Sequence, residues 1–560
     1  MSAINNKRII TSVVCVFLCV TIISCKKEFN LPPNDELSWS EVNKTTSNLD
    51  GIINAGYGRL MISPPATAQQ STAFDHILYS EAMGGGRLLF PLNLTATQNT
   101  SLLFNFSMLA DNALLGRLSR NIYSTAAVAN NVIYFINNDP PKDNEFAIQK
   151  TRLEGEAKFL RALSFFYAVK YWGHQFGFNS NSPNSGIMIP LNPSTDGTAG
   201  VGRSTVQEAY QQIIGDLNDA IALLPVSYDQ NLHAAYPSYR FRATKAAALA
   251  LLARVYFQQG TPASYQLALN TINRVIGSTP GTITATTETG VRVYSLQADV
   301  KIPFNQTGFN APANNTEEIL RLVNNNVAQQ GYNTASLNLT NESGGNPIQR
   351  AAARWFLNRP TPNPTPATPV TTSPLFDDVI NDRRFTELTF NNDFTGANAP
   401  RNQRVSSKWG FMTGTSIGMQ NCPLFRAAEL VITRAEINAI LNNTSAALAD
   451  YNLIRRRAIT GYVDRTLTHP SIGNTQAGLI LEICRERQRE LLFEGDDFWS
   501  WKRMNAYNNV AGIIYPLTMT APLTRGTQTF NWNSNRTLLK FSIDDLAGSS
   551  LLGLGAQNPD

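Results

Sequence analysis

Residues 243–277 and 424–458 read as one unit used twice, and this duplication restricts the fold more than any other feature of the chain. Each stretch is 35 residues long and reads helix, short turn, helix. Ala250-Leu251-Leu252-Ala253-Arg254-Val255 lies in the first arm of one unit, and Ala268-Leu269 opens its second arm. Leu430-Val431-Ile432-Thr433-Arg434-Ala435 and Ala447-Leu448 hold the matching places in the other. A helix pair of about 34 residues is the period of a tetratricopeptide repeat. One pair cannot cover its own apolar faces, so neighbouring pairs are expected to stack. The near-continuous apolar run from Ala246 to Phe257 suits a helix covered on several sides.

Helical spacing continues elsewhere. Leu49, Ile52, Ile53, Tyr57 and Leu60 share one face of a helix expected over 47–61, and further helices are expected over 74–83 and 114–136. A long helix is expected from Asn144 to Trp172, with Phe159, Leu160, Leu163, Phe166, Tyr167 and Lys170 on one stripe and Gly173 as its stop. Ser204 or Thr205 should cap a helix ending at Leu224, before Pro225. Residues 280–420 have another texture, with strand-like alternation over Val291–Leu296 and a proline-rich run from Pro360 to Pro374. They read as an irregular insertion containing short strands, the kind of segment that carries binding residues on a rigid scaffold. Helix resumes over Ala477–Glu494. The expected architecture is mainly α: a tetratricopeptide-like helical-pair scaffold over 44–279 and 421–510, the insertion 280–420, and a loop-rich tail 511–560, all in one domain.

The N-terminus has a different character. Lys7 and Arg8 precede an apolar run from Ile9 to Ile23, and Ser24 stands directly before Cys25. That is a secretory signal ending in a cysteine, which resembles a bacterial lipobox. The run is shorter than the roughly 20 residues a spanning helix needs. Residues 1–24 are therefore expected to be a lipoprotein signal peptide, with Cys25 acylated as the first mature residue. Each buried acyl methylene contributes about 0.8 kcal/mol to membrane attachment. Residues 25–43, with Pro32-Pro33, read as a lipid-anchored tether. Net charge is +5 and falls by two once Lys7 and Arg8 leave, too little for a nucleic-acid footprint. Charged residues make up only 16% of the chain, a surface better suited to neutral polar ligands than to ionic ones. Cys15 and Cys19 leave with the signal; Cys422 and Cys484 either pair or remain two buried thiols.

Catalytic patterns are weak. His76, His174, His233 and His469 are scattered, without metal-ligand spacing. Gly414-Thr415-Ser416-Ile417-Gly418 fits a nucleophile pattern, but Asn421-Cys422-Pro423 intervenes before the next helix. Glu154 and Glu156 point to different helix faces. Glu482 with Glu486, and Glu490 with Glu494, stand at i, i+4 among Arg485, Arg487 and Arg489, and read as ion pairs on a helix surface. No catalytic residue, cofactor or metal is expected. Aromatic side chains on loops can stack on ring-like ligands. Trp355 and Trp409 in the insertion, with Arg87 and Phe90 after Gly84-Gly85-Gly86, are the candidate ligand contacts, and core packing is the competing role for each. Trp172, Phe498, Trp499 and Trp501 are assigned to packing.

Several motifs together resemble one family. Glu154-Gly155-Glu156-Ala157-Lys158-Phe159-Leu160-Arg161-Ala162, with Tyr171-Trp172-Gly173, is similar to the "GEAxFLRAxxYF…YG" helix of SusD/RagB-type outer-membrane lipoproteins. Glu486 to Gly495 is similar to that family's "ERRxELxFEG". Ala447-Leu448 with Asn452, Arg455, Arg457 and Ala458 resembles "ALxxxNxVRxRA", Asp382-Arg383-Arg384-Phe385 resembles "DxRF", and Gln557-Asn558-Pro559 the closing "QNP". Asp496 to Arg503 departs from "xRWFDLxR": tryptophan and phenylalanine trade places, and Ser500 replaces the usual Asp. The resemblance implies a nutrient-binding, non-enzymatic protein anchored in the outer membrane and facing the cell exterior. Its insertion would face an oligosaccharide or polysaccharide, and it would act as the lid of a SusC-like TonB-dependent transporter. A peptide ligand, a helical-repeat assembly scaffold and a hydrolase using Ser416 or an unrecognised carboxylate pair are the alternatives.

Overall fold

The structure, a computed structural model, describes residues 42–61, 72–84, 90–91, 99–193, 200–228, 242–290, 292–304, 315–323, 351–352, 373, 375–392, 403–406, 408, 421–508, 515, 517–525, 527–548 and 557–559. Helices α1 (Thr46–Met61) and α2 (Thr72–Gly84) precede β1 (Phe90–Pro91) and α3 (Asn99–Phe104). Then come α4 (Ala113–Asn138), α5 (Phe146–Trp172), α6 (Val206–Leu223) and the pair α7 (Lys245–Gln259) and α8 (Pro262–Ile276). The insertion carries β2 (Glu318–Leu322), β3 (Ala351–Ala352), α9 (Arg383–Glu387), β4 (Thr389–Asn392) and β5 (Gln403–Ser406). After it follow β6 (Cys422–Arg426), α10 (Ala427–Ile440), α11 (Thr444–Ala458), α12 (Gln476–Glu490) and α13 (Asp497–Ala506). The tail holds α14 (Leu517–Thr520), the hairpin β7 (Leu523–Arg525) and β8 (Gln528–Phe530), and α15 (Ile543–Gly548).

Local chemistry sets the helix ends. Thr205 caps α6 in a capping box: its side chain accepts from Glu208 N–H while the Glu208 carboxylate accepts from Thr205 N–H. Between α7 and α8, Gly260 takes the left-handed conformation at φ +78, Thr261 caps the next helix, and Pro262 occupies its first turn. Gly155, in the middle of α5, serves close approach. A Cβ there would lie 3.0 Å from Leu223 Cβ and 3.1 Å from Leu224 Cγ, so α5 and α6 meet nearly backbone to backbone.

Packing follows chain order. Each helix from α4 to α8 packs on the next, α8 packs on α10, and α10 packs on α11 and α12. The two repeat units are therefore neighbours in space although the insertion separates them in sequence, and the scaffold is the expected helical-pair stack. Phe159, Leu160, Leu163 and Phe166 of α5 are fully buried, each worth about 1.5–3 kcal/mol relative to exposure. The equivalent arginines of the two units do different work. Arg254 crosses to the other unit, holding Glu429 at 2.7 and 2.6 Å, whereas Arg434 holds Asp450 of its own unit and donates across to Gly277 O at the end of α8. The C-terminal motif closes the stack: Asn558 donates to Trp172 O and Leu539 O. Trp172, Phe498, Trp499 and Trp501 are buried, as their helical positions imply.

Four expectations need correction. Residues 424–426 belong to β6, not to a helix: they pair antiparallel with β2, and Ala427 N–H bonds Glu317 O before α10 begins. Residues 292–296 form no strand. Tyr294 is buried and its neighbours are not, but Ser295 N–H to Thr316 O gives no ladder. Helix α12 stops at Glu490 rather than Glu494, because the chain turns through Phe493 at φ +62 and Gly495 at φ +78. Finally, Glu482, Glu486 and Glu490 are buried rather than paired on a helix surface. Cys422 and Cys484 are both buried free thiols. No helix among the described residues is long and apolar enough to cross a membrane. The signal 1–24, Cys25, most of the tether and the run 360–374 lie outside the described residues.

Candidate functional site

The insertion is fastened to the helical stack by a buried ionic network. Arg426, at the end of β6, is its hub. Its guanidinium reaches Glu490 at 2.6 Å, Glu317 at 2.9 Å and Glu494 at 2.7 Å. Lys408, next in sequence to Trp409, donates to Glu490 O at 2.9 Å and to Glu494 Oε1 at 2.7 Å. Its ammonium also lies 4.8 Å from the Phe304 ring centroid. Asp382 caps α9 by accepting from Arg384 N–H, and the Arg384 guanidinium pairs with Asp382, Glu486 at 2.6 Å and Glu490 at 3.1 Å. On the far side Arg455, Arg465 and Arg489 share Asp377, Glu482 and Glu486. Arg457 completes the set by pairing Glu490 and Glu317.

Counted among the described residues, the connected cations are Arg384, Lys408, Arg426, Arg455, Arg457, Arg465 and Arg489. The connected anions are Glu317, Asp377, Asp382, Glu482, Glu486, Glu490 and Glu494. Seven face seven, so the network is neutral as a whole, and buried charge is tolerated only when paired in this way. Burial alone would raise the carboxyl of Glu486, but Arg384, Arg455 and Arg489 overcome it and hold it at about 2. Glu490 is likewise held well below the carboxylate range, its burial outweighed by Arg457, Arg426 and Arg384. Burial pulls the Lys408 ammonium down, with Glu494 opposing.

Beyond this base, short strands gather pieces distant in sequence. Phe90 pairs with Ala352 and Pro91 with Ala351, so β1 and β3 form one antiparallel ladder. β3 lies against β5, which pairs with β4 from Thr389↔Ser406 to Asn392↔Gln403. Ala352 is three residues before Trp355, Ser406 three before Trp409, and Arg87 three before Phe90. The chain thus brings together the segments bordering all four candidate contacts. The side chains of Arg87, Phe90, Trp355 and Trp409 themselves lie outside the described residues. So does Gly414-Thr415-Ser416-Ile417-Gly418. His469 is spent on Ser471, 2.9 Å away. The carboxylates Glu482, Glu486 and Glu490 are each held by arginines. Sequence reasoning missed Glu317, Asp377, Lys408 and Arg426. Arginines interleaved with glutamates in Glu482–Glu490, among buried Leu479, Ile480 and Ile483, were the available signal.

Residues 97–257 match the family model described as "Starch-binding associating with outer membrane", and residues 380–542 match that of the SusD family. Among solved structures, a SusD superfamily protein from Bacteroides thetaiotaomicron VPI-5482 is 19% identical over 92% of this chain and 99% of that one, with a TM-score of 0.68. The surface glycan-binding protein A from Bacteroides uniformis is 16% identical over 92% and 99%, with a TM-score of 0.63. A laminarin-binding SusD-like protein is 18% identical over 92% and 99%, with a TM-score of 0.58. No curated protein matches the chain by sequence. At these identities the solved structures share the fold. The two family models match in chain order across both arms of the helical stack, and the chain belongs to the SusD/RagB family.

Proposed function

We propose that this protein is a surface-exposed lipoprotein of the outer membrane that binds an oligosaccharide or polysaccharide without cleaving it. It then passes the ligand to a TonB-dependent transporter that it caps. The observation carrying this reading is the gathering of β1, β3 and β5, whose flanking residues are Arg87, Phe90, Trp355 and Trp409, on a base locked by the ionic network. Aromatic rings and a lone guanidinium suit the apolar faces and hydroxyls of sugars. The family model for 97–257 and the glycan-binding relatives support the same ligand class. Acylation at Cys25 would supply the anchor and residues 25–43 the reach over the transporter.

Electrophoresis of the mature protein through gels containing starch, laminarin or other glycans tests the reading. Retardation by one glycan is expected, lost when Arg87, Phe90, Trp355 and Trp409 are all changed to alanine. Retention of full affinity in that variant refutes the site, and absence of retardation across glycans and peptides refutes capture. Incubation with the retained glycan should leave its product profile unchanged. Cys25→Ala should move the protein out of the membrane fraction, and co-purification from detergent extracts should bring down the transporter.

A further inference from the structure

The two halves of the family match meet at a partly open cavity that the ligand-binding reading does not use. It has a volume of about 70 Å³ and lies between α2, α5, α7, β6, α10 and the turn joining α12 to α13. At roughly 10–15 Å³ of such space per water, it admits a group of about five waters' size. Lys170, from the last turn of α5, lines it. The ammonium sits 4.8 Å from the Phe166 ring centroid and 5.5 Å from that of Trp499. Among the described residues it has no hydrogen bond and no ion pair, and it faces these two rings and the cavity.

The other cations of the wall are already matched. Arg254 holds Glu429 through two bonds of 2.7 and 2.6 Å, and Arg487 holds Asp496 at 2.8 and 2.6 Å. Arg426 holds Glu494 at 2.8 and 2.7 Å. Lys170 therefore leaves the wall with one surplus positive charge. The remaining titratable groups facing it do not offset that charge. Burial keeps His76 neutral, aided by Lys170 and Arg254, and its ring is stacked parallel to Trp499 and bonded to Tyr171 at 2.8 Å. Burial also keeps the Tyr167 hydroxyl protonated and pushes the Cys422 thiol up to about 12.

Lys170 is half-buried, and its ammonium faces the cavity with no anion paired to it, a position that attracts a counter-charge. We propose that this cavity is a binding site for a small monovalent anion, chloride or a carboxylate of formate or acetate size, held by Lys170. Apolar Ile77, Phe257 and Leu491 in the wall disfavour a hydrated or multiply charged ion. Burial, and next Arg254, bring the Lys170 ammonium down to about 7 against the pull of Asp496 and Glu429. The anion binds the protonated form, so affinity should be full below pH 7 and fade as pH rises through that value. An anion seated there ties α5 to the α12–α13 turn, and so couples the rigidity of the stack to the ionic conditions outside the cell.

Thermal melting of the mature protein at constant ionic strength provides the test. Replacing bulky gluconate by formate or chloride should raise Tm at pH 6 with half-saturation in the millimolar range, and much less at pH 8.5. In Lys170→Met the difference between anions should vanish, whereas a general salt effect would survive the change. Should that variant fail to fold, wild-type crystals soaked in bromide decide. An anomalous peak within hydrogen-bond distance of Lys170 Nζ supports the site. Water alone in the cavity at saturating bromide, or an anion effect on Tm that ignores pH, overturns it.

Discussion

Glu490→Gln is the sharpest perturbation of the ionic base. The wild-type carboxylate is 3% exposed and is shared by Arg426 at 2.6 Å, Arg384 at 3.1 Å and Arg457. Glutamine keeps the shape, removes one of seven anions and turns an amide donor toward guanidiniums. Breaking a buried pair on one side costs about 3–5 kcal/mol, because the partner charge remains uncompensated. Unfolding entropy of about 2.1 cal/mol/K per residue over about 500 residues gives roughly 1 kcal/mol/K. A chain melting as one unit should therefore lose about 3–5 °C in Tm. Acid gives a second signature. Burial acts to raise the Glu490 carboxyl, but Arg457, Arg426 and Arg384 hold it well below its unfolded value. A depressed carboxyl contributes stability that is complete above the unfolded value near 4.3 and fades as pH falls through the native one. The gap between wild type and variant should be full at pH 7 and narrow below about pH 4. Adding Arg457→Met restores neutrality, so the double variant should be less destabilised than the sum of the two single changes. Calorimetry showing a gap below about 1 kcal/mol at pH 7, or additivity in the cycle, would refute the claim that the network acts as one neutral unit.

Three further outcomes are expected. Gly260→Ala forces φ +78 on a residue whose Cβ would stand 2.9 Å from Tyr507 and 3.0 Å from Arg503, so chemical denaturation should show a loss of about 2 kcal/mol or more. Cys422 and Cys484, both buried and free, should resist maleimide in the native chain and both react after unfolding, with no mass change on reduction. Glu81, buried and accepting from Gly495 N–H at 2.8 Å, has its carboxyl raised to about 8 by burial, with that hydrogen bond opposing. A raised carboxyl favours the protonated native form, so stability should fall as pH climbs from about 4.3 to 8. Glu81→Gln should raise Tm at pH 8 and change it little at pH 4.

The scaffold was legible because its causes are local. Apolar spacing placed α1, α4 and α5 within a few residues; Gly260-Thr261-Pro262 marked a turn, and Thr205 with Glu208 marked a helix start. The network was not legible, because i, i+4 spacing tells which charges share a helix face and not whether another helix covers that face. Its partners come from Glu317, Asp377–Arg384, Lys408, Arg426 and residues 455–494, distances that no local pattern spans. The end of α12 was hidden for a related reason. Leu491-Leu492-Phe493 continues the apolar pattern, and the turn is imposed by Glu494 reaching back to Lys408 and Arg426. The candidate contacts are aromatics on loops, Trp355 and Trp409 in the insertion and Phe90 with Arg87 after Gly84-Gly85-Gly86. What sequence could not supply was the gathering of the strands that border them, since β3 and β5 are two and four residues long, too short to show alternation. Lys170 was visible as a cation on the apolar stripe of α5, but only the cavity gives that position a consequence.

Fourteen charges are an uneconomical way to stabilise a helical stack, since a well-packed apolar core of the same shape is often as stable or more so. Their arrangement explains more as a device for register. β6 pairs with β2 through only a few residues, Glu318↔Arg426 to Leu322↔Cys422, with irregularities between Glu318 and Arg321. A ladder that short would tolerate slippage on apolar grounds, and a slip of one residue turns every side chain to the other face. Such a slip would carry Arg426 away from Glu317, Glu490 and Glu494 together and strand buried charge on both sides. Lys408 and Arg384 add two further fixed points at which the insertion returns to the stack. The strands of the proposed ligand edge, β1, β3 and β5, are only two to four residues long. The geometry of that edge is tied to those fixed points, so under the proposed function the arginines and glutamates of α9, α11 and α12 would decide where the candidate contacts stand.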